Sequence, residues 1–150
     1  MRAVVQRVRQ AHVDVGASTL AAIGPGLLVL CGVSPADGDT DCSWLARKIA
    51  HLRIFNDDAG VMNRSLVEVG AEVLAVSQFT LYASTRKGAR PSYSAAAPPA
   101  VAAPRFAAFV RALEQELARP VPTGLFGADM QVFLINDGPV TICLDTALRE

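Results

Sequence analysis

Apolar side chains recur among polar ones over residues 2 to 8 (RAVVQRV), 12 to 15 and 20 to 23, three segments that read as short strands. Gly24-Pro25-Gly26 marks a turn, and LLVLCGV (27 to 33) follows as a continuous apolar run, the pattern of a strand buried on both faces. After the polar stretch Ser34 to Asp41 the period changes: Leu45, Ile49 and Leu52 fall at i, i+4 and i+7, which predicts an amphipathic helix ending near Phe55. A second buried strand is expected from Glu72 to Phe79. Ser84 to Pro104, with four prolines and an Ala-rich stretch, reads mostly as a long loop. Pro104 suits the first turn of a second helix, whose stripe is Phe106, Phe109, Val110, Leu113 and Leu117 and which stops before Pro120.

The chain closes on two apolar runs, QVFLI (131 to 135) and VTICL (140 to 144), separated by Asn136, Asp137, Gly138 and Pro139. Asp-Gly supplies the positive φ angles of a tight hairpin, but the proline removes a backbone donor where the second strand should begin to pair. An ordinary turn with Pro at a strand start accounts for this. So does a cis bond before Pro139, because X-Pro bonds lose most of the trans preference. With no repeat and no composition break, the expected architecture is α/β: one domain over residues 1 to 150, a mixed barrel-like β-sheet covered by two main helices.

Composition adds limits. The 150 residues are 51% apolar, enough for one full core. Fourteen basic and fourteen acidic side chains cancel, so any nucleic-acid contact must come from local clusters. No apolar run approaches the roughly 20 residues of a membrane span, and Met1-Arg2 leads into a strand-like pattern without signal-peptide shape, so a cytoplasmic location is expected. Cys31, Cys42 and Cys143 have no metal or disulfide spacing and read as small buried hydrophobes.

Familiar catalytic signatures are missing. Gly32-Val33-Ser34-Pro35-Ala36 has Ala where a nucleophile elbow needs its second Gly. Asp37, Asp39 and Asp41 have calcium-loop spacing, but Cys42 and Lys48 occupy that loop's sixth and twelfth positions. HExxH, Walker and GxGxxG sequences are absent, and His12 and His51 have no neighbouring carboxylate or cysteine in sequence. Ser77, Gln78 and Thr80 end a strong apolar strand, where hydroxyls and backbone N–H groups can converge on a ligand; equally, they can simply end the strand. No base can be placed beside a hydroxyl nucleophile, which favours catalysis by positioning and backbone donors. Arg86, Lys87 and Arg90, near Tyr93, could hold two or three phosphates or form a solvated loop.

Taken together, SQFTL (77 to 81), RKGARPSY (86 to 93), TGLFGADMQV (123 to 132) and NDGPVT (136 to 141) resemble the D-aminoacyl-tRNA deacylase family, formerly called D-tyrosyl-tRNA deacylase. The early QRV, GLLVLCGV and RIFND extend the resemblance over nearly the whole chain. It implies hydrolysis of the ester joining a D-amino acid, or glycine mischarged on tRNA(Ala), to the terminal adenosine of tRNA. It also implies a homodimer with its sites at the subunit interface and tRNA as partner. No cofactor or metal enters the reading. Ser77, Gln78, Phe79 and Thr80 would line the site, with backbone N–H groups around Ser77 to Phe79 as the oxyanion site and the RNA 2′-hydroxyl assisting. Gly138-Pro139 matches the family's chirality filter, a cis unit inserted into the partner's pocket that shuts out L side chains. Phe126 and Met130 would help form the adenosine pocket, or else pack the core. Arg86, Lys87 and Arg90 would contact tRNA.

Three points depart from the family pattern: Ala89 and Tyr93 stand where Asn and Phe are frequent, and His12 where a smaller residue is expected. Two other functions compete with the deacylase: a non-catalytic homodimeric module binding nucleic acid through the Arg86 to Arg90 loop, and a conventional esterase using Ser77 or Thr80.

Overall fold

A computed structural model describes residues 1–149. Its sheet runs in the order β2(Ser18–Ile23), β1(Arg2–Val15), β3(Gly26–Gly32), β6(Glu72–Ser77), with β7(Gln131–Asp145) also paired to β1. The β3–β6 pair is parallel and the others are antiparallel, so the sheet is mixed as expected. α1(Asp39–His51) and α3(Pro99–Leu117) cover one face; β4(Phe55–Asn56), β5(Met62–Arg64) and the single turn α2(Leu66–Val69) make up the connection between α1 and β6.

The continuous apolar pattern of β3 has a simple cause. Leu27, Val29 and Cys31 point into the core beneath the helices, while Leu28 and partly buried Leu30 point into a second cluster on the opposite face. β6 divides likewise, Val73 and Ala75 against Leu74 and Val76. The second cluster has no helix over it. Instead the sheet curls, and the far half of β1 (Val8, Ala11, Val13) closes on Ile23, Leu28 and Leu74. The result is a half-barrel.

β1 changes sides along its length: Ala3 and Val5 belong to the first cluster, Val8, Ala11 and Val13 to the second. Val8 still fits plain alternation with Ala3 and Val5, but Ala11 and Val13 share its cluster, so odd and even positions exchange roles between Val8 and Ala11, and the β1–β7 register shifts at Gln6/Val8 and again at Val8/Gln10. β7 changes with it, sending Val132 and Leu134 to the second cluster and Val140, Ile142 and Leu144 to the first.

Four expectations are corrected. The two carboxyl-terminal runs are not joined by a hairpin; they are the halves of one strand, β7, laid antiparallel along the whole of β1. Gln6 pairs with Thr141 and Val8 with Asn136, so five steps of β7 oppose two of β1 and residues 137 to 140 form an outcrop. The second helix starts at Pro99, with Pro98 as N-cap, so Pro104 lies at its sixth residue. Residues 99 to 103 are helical where the sequence reads as loop, while Ala95 to Ala97 stay outside the helix. Pro104 removes a single N–H donor there, and the buried Ala102 and Phe106 on either side hold the turn against the core. β6 ends at Ser77 and Phe79–Tyr82 form a 3-10 turn. Finally, Cys31 and Cys42 are buried but Cys143 is exposed, because β7 covers the core with alternate residues only.

Candidate active site

Ser77 ends β6 beside Cys31, the last pairing of the parallel β3–β6 ladder, and the chain then tightens into the 3-10 turn. The Gln78 N–H donates to the Cys31 carbonyl at 2.8 Å, so that donor is already occupied. The N–H groups of Phe79 and Thr80 are the first of the 3-10 turn and have no acceptor among the described residues, as expected of a helical N-terminus. The Gln78 side-chain amide donates to Thr80 Oγ1 at 2.6 Å, which fixes both side chains.

These residues open onto a cavity of about 390 Å³. Ser77, Gln78 and Phe79 form one wall and Cys31 and Val33 at the end of β3 a second. The start of α3 (Pro98, Pro99, Ala102, Phe106) forms a third, with Phe126 opposite, its ring 6.4 Å from that of Phe106. Small side chains at the start of α3 leave the space open. Half-exposed Phe79 and Tyr93 meet edge to face at the rim, centroids 5.0 Å apart. Burial pushes the Cys31 thiol far above its ordinary range, so this wall carries no thiolate. The cavity is apolar with a few convergent donors, suited to an aromatic ligand whose polar end lies against Phe79 and Thr80.

The expected site residues separate into groups. Ser77, Gln78, Phe79 and Phe126 line the cavity, with Thr80 tied to Gln78. Met130 is not among the lining residues: it packs with Val132 and Leu134 on the second cluster, and its sulfur sits over Gly124, where a Cβ would come within 2.6 Å. Arg86, Lys87 and Arg90 are all exposed and have no ion-pair partner among the described residues. Gly138 and Pro139 lie elsewhere, at the tip of the β7 outcrop, exposed and joined by a cis bond, with Gly138 at φ 131°.

Sequence reasoning did not single out Arg7, yet this buried side chain is the anchor of the outcrop. Its Nε donates to the Asp137 carbonyl at 3.2 Å and its Nη1 to the Ile54 carbonyl at 2.6 Å, while exposed Arg9 reaches Asp137 Oδ1 at 3.1 Å. Asn136 closes the base by donating from Nδ2 to the Val140 carbonyl at 3.2 Å. The only hint in sequence was two arginines flanking an apolar residue in a strand with one covered face.

The sequence model described as D-Tyr-tRNA(Tyr) deacylase matches residues 4–145. The chain belongs to this family. A D-aminoacyl-tRNA deacylase of Chromobacterium violaceum is 59% identical over 150 residues, and one of Bacteroides thetaiotaomicron 51%, each alignment covering 100% of both chains. Among solved structures, the c-Myc DNA Unwinding Element Binding Protein superposes with TM-score 0.89 at 41% identity, covering 97% of this chain and 98% of that one. A probable eukaryotic D-amino acid tRNA deacylase gives 0.80 at 18% identity over 95% and 97%, a likeness of fold. The family's activity, hydrolysis of the ester of D-aminoacyl-tRNA, is thereby assigned to this chain, and the cavity beside Ser77 to Thr80 is the candidate place for it.

Proposed function

We propose that the enzyme works in the cytoplasm as a homodimer in which the Gly138-Pro139 outcrop of one subunit enters the Ser77–Phe79 cavity of the other. There it excludes L-aminoacyl esters and admits D-aminoacyl and glycyl esters, including glycine mischarged on tRNA(Ala). The observation that carries this reading is the separation of the two elements within one subunit. Ser77 lies level with Cys31 and hence with Ala3 of β1, whereas the outcrop lies level with Arg7. Those four residues of β1 amount to ~13 Å along the strand at ~3.3 Å per residue, and β3 and β1 intervene sideways. An exposed, firmly anchored outcrop that does not reach its own cavity is suited to another subunit's.

Within the cavity the terminal adenosine lies along Phe126, and the ester carbonyl faces the Phe79 and Thr80 N–H groups, which stabilise the oxyanion as it develops. Backbone acceptors of the outcrop receive the α-ammonium. An L side chain then collides with the outcrop and a D side chain projects outward, so selectivity comes from exclusion and tolerates many D residues. The RNA 2′-hydroxyl assists attack. The exposed cations Arg86, Lys87 and Arg90 contact phosphates of the RNA end.

Parallel hydrolysis of a D-aminoacyl-tRNA and its L counterpart tests the reading. Rapid release of the D residue with little release of the L residue is expected, from a particle of twice the chain mass by sedimentation equilibrium. Equal rates on both would remove the filter, and a fully active monomer would remove the shared site.

A further inference from the structure

We propose that the α1 face bearing Trp44, Arg47 and Lys48, together with Arg53 just beyond the helix, is a second contact surface for the substrate RNA. It takes backbone phosphates of the acceptor arm while the terminal adenosine occupies the cavity at Ser77–Phe79. The inference rests on the tRNA reading above and adds a surface outside that cavity.

Four observations converge on this face. Trp44 and Lys48, and likewise Arg47 and His51, stand four residues apart, which places the four on a single stripe of α1. The stripe and Arg53 line an open depression of about 530 Å³ with no carboxylate in its lining, Glu116 meeting His51 Nε2 at 3.4 Å outside it. By contrast, the depression near the end of α3 mixes Glu114 with Arg111 and Arg119. Arg47 has no ion-pair or hydrogen-bond partner among the described residues, and Arg53 donates to the carbonyl and side-chain oxygens of Asn63 within electrostatic reach of Glu68 but makes no ion pair. Trp44 presents its ring to two cations, Lys48 Nζ at 5.8 Å and, at 5.5 Å, the guanidinium of Arg149, which also pairs with Asp41.

Position connects the stripe with the reaction. A neighbouring groove of about 430 Å³ shares Trp44 and Lys48 with it and continues past the Arg2–Asp145 ion pair, 2.9 Å, to Leu81, the residue after Thr80. Arg2 donates to the Leu81 carbonyl at 3.0 Å, so the groove is built onto the back of the 3-10 turn that carries the catalytic N–H groups. Arg47, Lys48 and Arg53 spread along the open α1 depression, with the Trp44 ring among them, suit a chain of phosphates better than one enclosed small anion. A molecule with zero net charge has no global field, so such a local track is where RNA affinity beyond the last nucleotide would arise.

The test uses Arg47→Glu, with Arg47→Gln in reserve should the charge reversal fold poorly, and the Arg47→Gln/Arg53→Gln pair. Three substrates or probes are compared: full-length D-aminoacyl-tRNA, a D-aminoacyl-adenosine ester lacking the arm, and an uncharged RNA hairpin with the acceptor-stem sequence. Expected for Arg47→Glu are a KM on tRNA raised about five- to tenfold, a kcat within about twofold, an unchanged rate on the short ester and matching weakening of hairpin binding. Each arginine removed should lower the slope of log affinity against log salt by about one. An unchanged KM and hairpin affinity in a folded variant would overturn the proposal, as would an equal loss on the short ester. Failure of the underlying tRNA reading looks different: the wild type would release no D-amino acid, and hairpin titration of Arg47→Gln would still decide this surface.

Discussion

Arg7 donates from Nε to the carbonyl of Asp137 at 3.2 Å, 130 positions away in sequence, and this bond fixes the β7 outcrop to the middle of β1. Arg7 Nη1 also satisfies the Ile54 carbonyl. Removing the guanidinium leaves buried acceptors without donors, at about 1–3 kcal/mol each. Arg7→Met should therefore lower stability by about that amount and reduce kcat/KM on D-aminoacyl-tRNA at least about tenfold. Arg7→Lys, which keeps charge but not the fork, should fall between. Urea unfolding and initial rates read both effects, and an Arg7→Met enzyme with wild-type rates would show that the anchor is dispensable.

Ser77 and Thr80 have hydroxyls at the site but no base beside them, and Thr80 Oγ1 is occupied as acceptor for Gln78. Ser77→Ala and Thr80→Ala should each retain kcat within about tenfold of wild type, the scale of one lost hydrogen bond of about 1 kcal/mol. A nucleophile would behave differently, losing about 10⁴ or more. Single-turnover rates decide, and a collapse of either variant would restore the esterase alternative.

Phe126 contributes one wall of the cavity through its contact with Phe106. Phe126→Ala should raise KM about tenfold or more by losing stacking of about 1–3 kcal/mol, with a smaller change in kcat. The equivalent truncation of Met130, which packs on the other face of the sheet, should appear in thermal stability and leave KM nearly unchanged.

Gly26 is required by close approach of two strands. A Cβ there would lie 2.1 Å from the carbonyl oxygen of Glu72 at the start of the β3–β6 ladder. Backbone cannot move aside as a flexible side chain can, so Gly26→Ala should cost about 3 kcal/mol. Chemical denaturation measures this, and an unchanged midpoint would mean that the parallel pair tolerates a wider spacing.

Acid should unfold the protein through particular carboxylates. Burial pushes Asp145 toward the neutral form, but the Ala147 N–H and the Arg2 guanidinium outweigh it and hold the carboxyl below its usual range. For Asp41 the same burial cost is overcome by the Gly38 N–H and Arg149. A folded-state pKa below the unfolded one gives stability that is complete above the unfolded value of ~3.9 and is lost as pH falls through the folded value. The melting temperature should thus be steady near neutrality and decline below about pH 4. Asp145→Asn should lower it at pH 7 and shrink the decline, and parallel curves for variant and wild type would exclude Asp145 as a contributor.

Much of this protein could be read along the chain. Short apolar segments predicted β2 and, as two separate pieces, the single strand β1, a continuous apolar run predicted a strand buried on two faces, and the Leu45–Ile49 and Phe106–Leu117 stripes predicted the helices that cover the core. Such patterns are legible because burial is decided by side-chain direction, which repeats every two or 3.6 residues. The motif order likewise pointed to the family without any coordinates.

What the chain could not reveal by itself depends on partners distant in sequence. Local turn chemistry offered a hairpin at Asn136 to Pro139, but pairing with β1 on both sides turned the segment into an outcrop from a single strand. The importance of Arg7 appears only once Ile54 and Asp137 meet it, and the Gln78 N–H is occupied only because Cys31 lies alongside. Composition made residues 98 to 103 look like loop, yet packing of Ala102 and Phe106 made most of them the first turns of α3 and a wall of the cavity. Periodicity belongs to the local chain and survives in the sequence; register, curl and the meeting of remote groups are set by the balance of all contacts at once, and only the folded molecule resolves them.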